Sequence, residues 1–246
     1  MTDTYISIDL ETTGLNPKWD KIIEIGALKV EQGQITDTFS AFVNPGRKLE
    51  ERITSLTGIR DEELDEAPYI QEVFPQILEF MGDLPLLGHS ILFDFSFLKK
   101  AAVNQNFVFE KSAIDTLKIA RRYLADLEHR SLSYLCDYYG IAHQAHRALE
   151  DARATHFLYR KLAELFGEGD NVLFQPSPLH YQVKKDTPAT KAQREQLYRL
   201  MEQHKITLNV DVEKLSRSEA SRMIDKIRSR QLSPLNAAES PLCSES

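Results

Sequence analysis

The sequence predicts a mixed α/β sheet with flanking helices, followed by a small helical module. Three observations predict it. Three strand-like runs stand in a row near the N-terminus, separated only by turn residues. Strands then alternate with helices as far as residue 167, the pattern of a mixed sheet with helices packed on it. Beyond that point the composition turns to Gly, Pro and polar residues and ends in two capped helices.

The run TYISIDL (4–10) reads as a short buried strand. KIIEIGALKV (21–30) and ITDTFSAFVN (35–44) follow, with the turn residues around Gly33 between them, so an antiparallel meander is expected. Pro45 and Gly46 end it, and Glu62–Leu64 after Asp61 fits one helical turn. Residues 69–82 carry Ile70, Val73, Phe74, Ile77, Leu78 and Met81 at helical spacing. Pro75 inside that run predicts a kink or a later helix start.

LPLLGHS (84–90) is a short strand, and LFDFSFLKKAAV (92–103) a helix. SAIDTLKIARRYL (112–124) is a strand leading into a helix, and SLSYLCDYYG (131–140) a helix ended by Gly140. A long helix runs from Arg147 to Gly167. These elements define a first domain over 1–167, and residues 168–188 read as a linker. Residues 189–230 form a basic helical module in which Thr190 with Gln193 and Ser216 with Glu219 mark reciprocal helix caps. Its expected core is Leu197, Leu200, Met201, Leu215, Met223, Ile224 and Ile227. Residues 231–246 have little to bury and are expected as a disordered tail.

Hydrophobic content of 42% and charged content of 27% place the chain among soluble globular proteins. No apolar stretch approaches the length that crosses a bilayer, so no membrane partner is expected. Asp3 and Asp9 interrupt any signal peptide, and two cysteines, Cys136 and Cys243, make neither a disulfide framework nor a zinc set. A cytoplasmic location follows as the expectation.

Charge is uneven along the chain. Residues 1–188 hold 20 Lys and Arg against 29 Asp and Glu, whereas 189–230 hold 10 against 6. Opposite signs point to modules with different tasks. The second is either a nucleic-acid tether or an accessory pair that packs or associates. An acidic first domain still acts on nucleic acid where metal ions neutralise some of its carboxylates.

Asp9 and Glu11 stand two apart at the end of the first strand, so both carboxylates project from one face. They repel and resist ionising unless a cation sits between them. Asp94 lies between Phe93 and Phe95 in a helix, facing either solvent or a site. His146 precedes the long helix and Asp151 lies in its early turns, where the helix dipole alone would favour an acid.

Together these stretches resemble the three motifs of the DEDDh group of 3′–5′ exonucleases, the DnaQ-like and PolC-type proofreading family. Asp9, Glu11, Thr12, Thr13 and Gly14 match the first. Gly88, His89, Phe93, Asp94, Phe97 and Leu98 match the second, and His146 through Ala152 the third. The likeness covers about residues 4–167. It departs where the family usually has Asn and this chain has Ser90.

The resemblance implies a ribonuclease H-like sheet with Asp9 and Glu11 on its central strand. It implies two divalent cations, Mg²⁺ or Mn²⁺. Asp9 would bridge them, Glu11 and Asp151 would hold one, and Asp94 would serve the other. His146 would be the general base, with His143 as a competitor whose spacing does not match the motif. Thr12, Thr13, Leu56 and His89 would contact substrate. The expected partner is the 3′ end of a nucleic acid, single-stranded DNA favoured, with a DNA polymerase or a replication or repair complex as the wider setting. Rival readings are an exoribonuclease of the same fold, a non-catalytic nucleic-acid-binding scaffold, and an aspartyl phosphatase, against which Glu11 departs from D-x-D.

Overall fold

A computed structural model describes residues 2–168 and 171–229. The expected tail, 231–246, lies outside the described residues, as does Arg230. The chain divides into two compact units, one ending at Lys184 and one beginning at Lys185.

In the first unit, β1 (Tyr5–Thr12), β2 (Ile22–Glu31) and β3 (Gln34–Phe42) form the expected antiparallel meander. The strands β4 (Leu86–Gly88) and β5 (Ser112–Asp115) add parallel to β1, and β6 (Ser177–Pro178) closes the far edge antiparallel. The order is β3-β2-β1-β4-β5-β6, so β1 is central. Its residues alternate between two cores. Ile6, Ile8 and Leu10 point to one face and pack with α3 (Ile70–Met81) and α4 (Leu92–Asn104), through Phe74, Ile77, Phe95 and Leu98. Tyr5 points to the other, with Leu135 of α6 (Leu132–Tyr139) and Leu158 and Leu162 of α7 (Ala148–Phe166). Ser7, Asp9 and Glu11 share the side of Tyr5 by the two-residue period.

Helix α3 begins at Ile70, before Pro75, which corrects the expectation of a later start. Glu72 accepts from Tyr69 N at 2.9 Å and secures that first turn. Helix α1 (Glu51–Thr57) was not anticipated. It is two turns long with only Ile53 and Thr57 buried, so it shows little periodicity. It precedes α2 (Asp61–Asp65), and α5 (Thr116–Tyr123) follows β5 directly. Gly140 ends α6 in the left-handed region, at φ 67°, as expected.

Residues 171–184, which composition assigns to a linker, belong to the first unit. Phe174 is 1% exposed, Leu179 is buried in the α3–α4 core, and Leu179 N donates to Lys111 O. Lys100 Nζ donates to Lys184 O at 2.8 Å. Isolated anchors spaced by Gly, Pro and Ser give no periodic signal.

The second unit packs α8 (Lys191–His204) and α9 (Arg217–Arg228), each with the predicted reciprocal cap. Leu197, Leu215, Ala220, Ile224 and Ile227 form its buried centre, with Leu200, Met201 and Met223 at the margin.

Candidate active site

The site forms where α7 crosses β1 and β2. Close approach depends on small residues. Ala148 and Ala152 of α7 are fully buried, and Ser7 Oγ donates to Ala152 O at 2.7 Å. On β2, a Cβ at Gly26 would lie 2.1 Å from Leu149 N and 2.2 Å from Ala148 C, so any side chain there would push the helix off the sheet. This approach carries Asp151 to the strand. Carboxylate oxygens of Asp9, Glu11 and Asp151 lie within 4.8 Å of one another.

Asp94 arrives from the first turn of α4 and is 3% exposed. On the β4 side of β1, Ile6 N donates to Pro85 O. Past the end of β4, Leu10 N donates instead to Asp94 Oδ1 at 3.1 Å. The carboxylate thus continues, between Asp9 and Glu11, the ladder that β4 has left.

Gathering these acids is electrostatically costly. Burial, then Asp94, Asp151, Glu11 and Glu24, hold the Asp9 carboxyl well above the ordinary carboxylate range. Burial, then Asp151 and Glu24, push Glu11 up to about 8, with Arg147 opposing. Burial raises Asp94 as well, against the pull of the Leu10 amide. An all-oxygen donor set with this much unbalanced negative charge fits a hard divalent cation.

The histidines differ from expectation. His143 Nε2 lies 2.6 Å from Asp151 Oδ1, and its side chain is almost wholly buried. His146 is exposed, has no hydrogen-bond partner among the described residues, and sits at φ 64° in the left-handed region. The segment 142–147 therefore presents His143, not His146, to the carboxylates. His89 is committed elsewhere. Its Nε2 donates to Arg130 O at 2.8 Å and its Nδ1 lies 2.9 Å from Thr116 Oγ1. Burial lowers its pKa, and Thr116 Oγ1 in turn donates to Gly88 O at 3.2 Å. Neither nitrogen is left for a substrate.

Thr12 Oγ1 donates to Gly14 O at 2.7 Å, and Thr13 Oγ1 accepts from Lys21 N at 2.9 Å and Arg47 Nη2 at 3.3 Å. Both hydroxyls brace the turn after β1. Leu56 is 54% exposed on α1, leaving its side chain open to a ligand. Lys99 and Lys100 donate to Phe109 O and Lys184 O within the first unit.

Sequence reasoning missed Glu24. It stands directly across the ladder from Glu11. Its Oε1 accepts from Arg147 Nη2 at 3.2 Å and its Oε2 from Ala148 N at 3.1 Å. An acid among isoleucines was the available signal.

Comparison with known proteins agrees with this arrangement. The profile of the family described as Exonuclease (RNase_T) matches residues 6–159. The DNA polymerase III PolC-type of Caldanaerobacter subterraneus subsp. tengcongensis is 40% identical over 166 residues, covering 67% of this chain and 12% of the relative. That of Clostridium perfringens is 38% identical over 167 residues, covering 66% and 12%. The chain thus spans about an eighth of the length of these relatives. Exonuclease X in complex with 5′ overhanging duplex DNA superposes with a TM-score of 0.52 at 25% identity, over 66% of this chain and 92% of that one. The nuclease domain of 3′hExo, a DEDDh family member bound to rAMP, shares the fold with a TM-score of 0.59 at 21% identity, over 71% and 96%. On a match that takes in β1, α4 and the acidic turns of α7, the chain belongs to the exonuclease family.

Proposed function

We propose that the first unit is a 3′–5′ exonuclease that hydrolyses nucleic acid, DNA in preference to RNA, releasing nucleoside 5′-monophosphates. The observation that carries this reading is the convergence of Asp9, Glu11 and Asp151 within 4.8 Å, with Asp94 hydrogen-bonded to the strand between the first two. Asp9, Glu11, Asp94 and Asp151 would hold two divalent cations, Mg²⁺ or Mn²⁺. Such ions, when bound, polarise the phosphodiester and stabilise both the attacking and the leaving oxygen.

The chain supplies the rest. Asp94 stays fixed by Leu10 N through one oxygen, and the other would reach a cation. His143 leaves Asp151, freeing that carboxylate. His146 turns in from solvent and takes the proton of the attacking water on a ring nitrogen. Leu56 and the backbone of Thr12 and Thr13 meet the terminal nucleotide, while His89 acts as an internal tie. DNA is favoured because the relatives are DNA polymerases by name, and that kinship also suggests a replication or repair setting in the cytoplasm. Among the described residues no helix is long and apolar enough to cross a membrane.

The test is cleavage of oligonucleotides labelled at the 3′ or the 5′ end, with Mn²⁺ or with chelator, on matched DNA and RNA. Early release of the 3′ label only with metal, faster on DNA, is the expected result. Faster RNA turnover would favour the exoribonuclease reading. No cleavage, with the oligonucleotide still bound, would favour a scaffold.

A further inference from the structure

Glu24 carries a buried charge that the proposed chemistry does not use. Its side chain is 3% exposed, and burying a carboxylate is tolerable only where both oxygens find partners. They do. One accepts from the Arg147 guanidinium and the other from Ala148 N, the first amide of α7. Arg147 is the N-cap of that helix, and its own side chain caps nothing. Its backbone N–H donates instead to Asp151 Oδ2 at 3.0 Å. One residue therefore links three things. Its guanidinium is held by Glu24, its amide holds Asp151, and its neighbour in the chain is His146.

Glu24 also stands across from Glu11, and like charges directly opposed in a ladder destabilise it. Apolar residues surround it on β2, where Ile23 and Ile25 are fully buried. An acid here works against the sheet, and its compensation lies wholly in the start of α7.

Resting on the exonuclease reading, we propose that Glu24 is a positioning residue: through Arg147 and Ala148 it fixes the first turn of α7, and so sets the Asp151 carboxylate and the His143–His146 segment. It is not counted as a fifth ligand, because the carboxylates that gather within 4.8 Å are those of Asp9, Glu11 and Asp151. Loss of the anchor would let Arg147 swing away and carry the Asp151 hydrogen bond with it.

The test uses the full chain with Glu24→Ala, Glu24→Gln and, as a control, Val30→Ala. Val30 is fully buried on the same strand but pairs with Tyr5, at the end of the ladder away from Glu11. Turnover and KM are measured on a 3′-labelled single strand with Mg²⁺. Ring signals of His143 and His146 are recorded by NMR without metal or substrate. Glu24→Ala is expected to lower kcat about 10–100-fold, the usual effect of removing a group that orients a ligand, with KM within about twofold. The His143 signal should move. Glu24→Gln, which keeps an acceptor for Ala148 N–H, should recover part of both. Val30→Ala should lower the melting temperature and leave kcat and the ring signals alone.

A lowered melting temperature with unchanged kcat and unchanged rings in Glu24→Ala would make Glu24 structural only and overturn the proposal. Loss of one bound Mn²⁺ from the stoichiometry in Glu24→Gln would make it a ligand, with the same consequence. If the wild-type chain cleaves nothing, the exonuclease reading falls, while the ring signals still decide whether Glu24 positions the segment.

Discussion

His143 Nε2 is 2.6 Å from Asp151 Oδ1, while His146, three residues on, faces solvent in a left-handed conformation. In the proposed mechanism Asp151 holds a cation, so the His143–Asp151 contact is one that mechanism has to break. The left-handed backbone at His146 is uncommon for a residue with a Cβ.

His143→Ala should therefore bind Mn²⁺ more tightly than the wild type. A hydrogen bond to a charged group contributes about 1.5–3 kcal/mol, of which water screening leaves part, so a gain of roughly tenfold is expected. Calorimetric titration of both proteins at one pH measures it. Weaker binding in the variant would mean that His143 supports the site as a ligand.

His146→Ala should lower turnover by at least about 10²-fold, the scale of a lost general base, with Mn²⁺ affinity unchanged. His143→Ala should keep turnover within a few-fold. Single-turnover assays on one labelled strand rank the two. If the order reverses, the histidine already beside Asp151 is the base, and the motif spacing misassigns the role.

The pH dependence of the metal-free fold follows from Glu11. Its folded pKa is raised from 4.5 to about 8, so the folded state holds a proton that the unfolded chain has released. That contribution to stability is fully present below pH 4.5 and is lost as pH rises through 8. Asp9 and Asp94 are shifted in the same direction. In EDTA the melting temperature should fall between pH 5 and pH 8, and Mn²⁺ should reverse the fall. Glu11→Gln should flatten the EDTA curve. A melting temperature that rises across this range would show that the acids are not repelling one another.

Much of this site was legible because its acids sit at element ends. Asp9 and Glu11 share a strand face, and Asp94 and Asp151 occupy first helical turns; spacing left each open, and the resemblance to the exonuclease motifs drew them together. Glu24 was not legible. Within KIIEIGALKV an acid reads as a solvent-facing residue, and its burial depends on α7, which arrives from far along the chain. The two histidines were separable only in part, since spacing picks His146 but not which ring the segment turns inward. Helices with strong period, such as α3 and α7, were legible. Phe174 and Leu179 were not, because lone anchors have no period.

Ser90 offers a separate test. It has φ 72°, and its N–H donates to Asp115 Oδ1 at 3.0 Å. Asn tolerates the left-handed region better than Ser does, so a backbone reason suffices for the Asn usual at this position. Ser90→Asn should stabilise the chain by up to about 1 kcal/mol, read as a higher denaturant midpoint, with turnover within twofold. A large change in turnover at equal stability would instead assign the Asn amide a substrate contact.

The boundary of the first unit makes the last prediction. Composition would cut the chain after Gly167, whereas packing cuts it after Lys184. Between the two lie Phe174, Leu179 and the strand β6 that covers the edge of β5. Removing one buried Phe side chain alone costs about 3–5 kcal/mol, and a whole domain is stable by about 5–15 kcal/mol. A chain ending at Gly167 should then be unfolded or barely folded at 25 °C. A chain ending at Lys184 should melt cooperatively and keep full turnover on a dinucleotide, since every site residue precedes the cut. On a long single strand its apparent affinity should fall at low salt and converge with the full chain as salt rises, if the second unit tethers nucleic acid through displaced counterions. An unchanged affinity with a changed elution volume on gel filtration would make that unit an association element. Equal stability of the two truncations would show that residues 171–184 contribute nothing to the core they pack on, and Phe174→Ala in the full chain checks the same point without a new terminus.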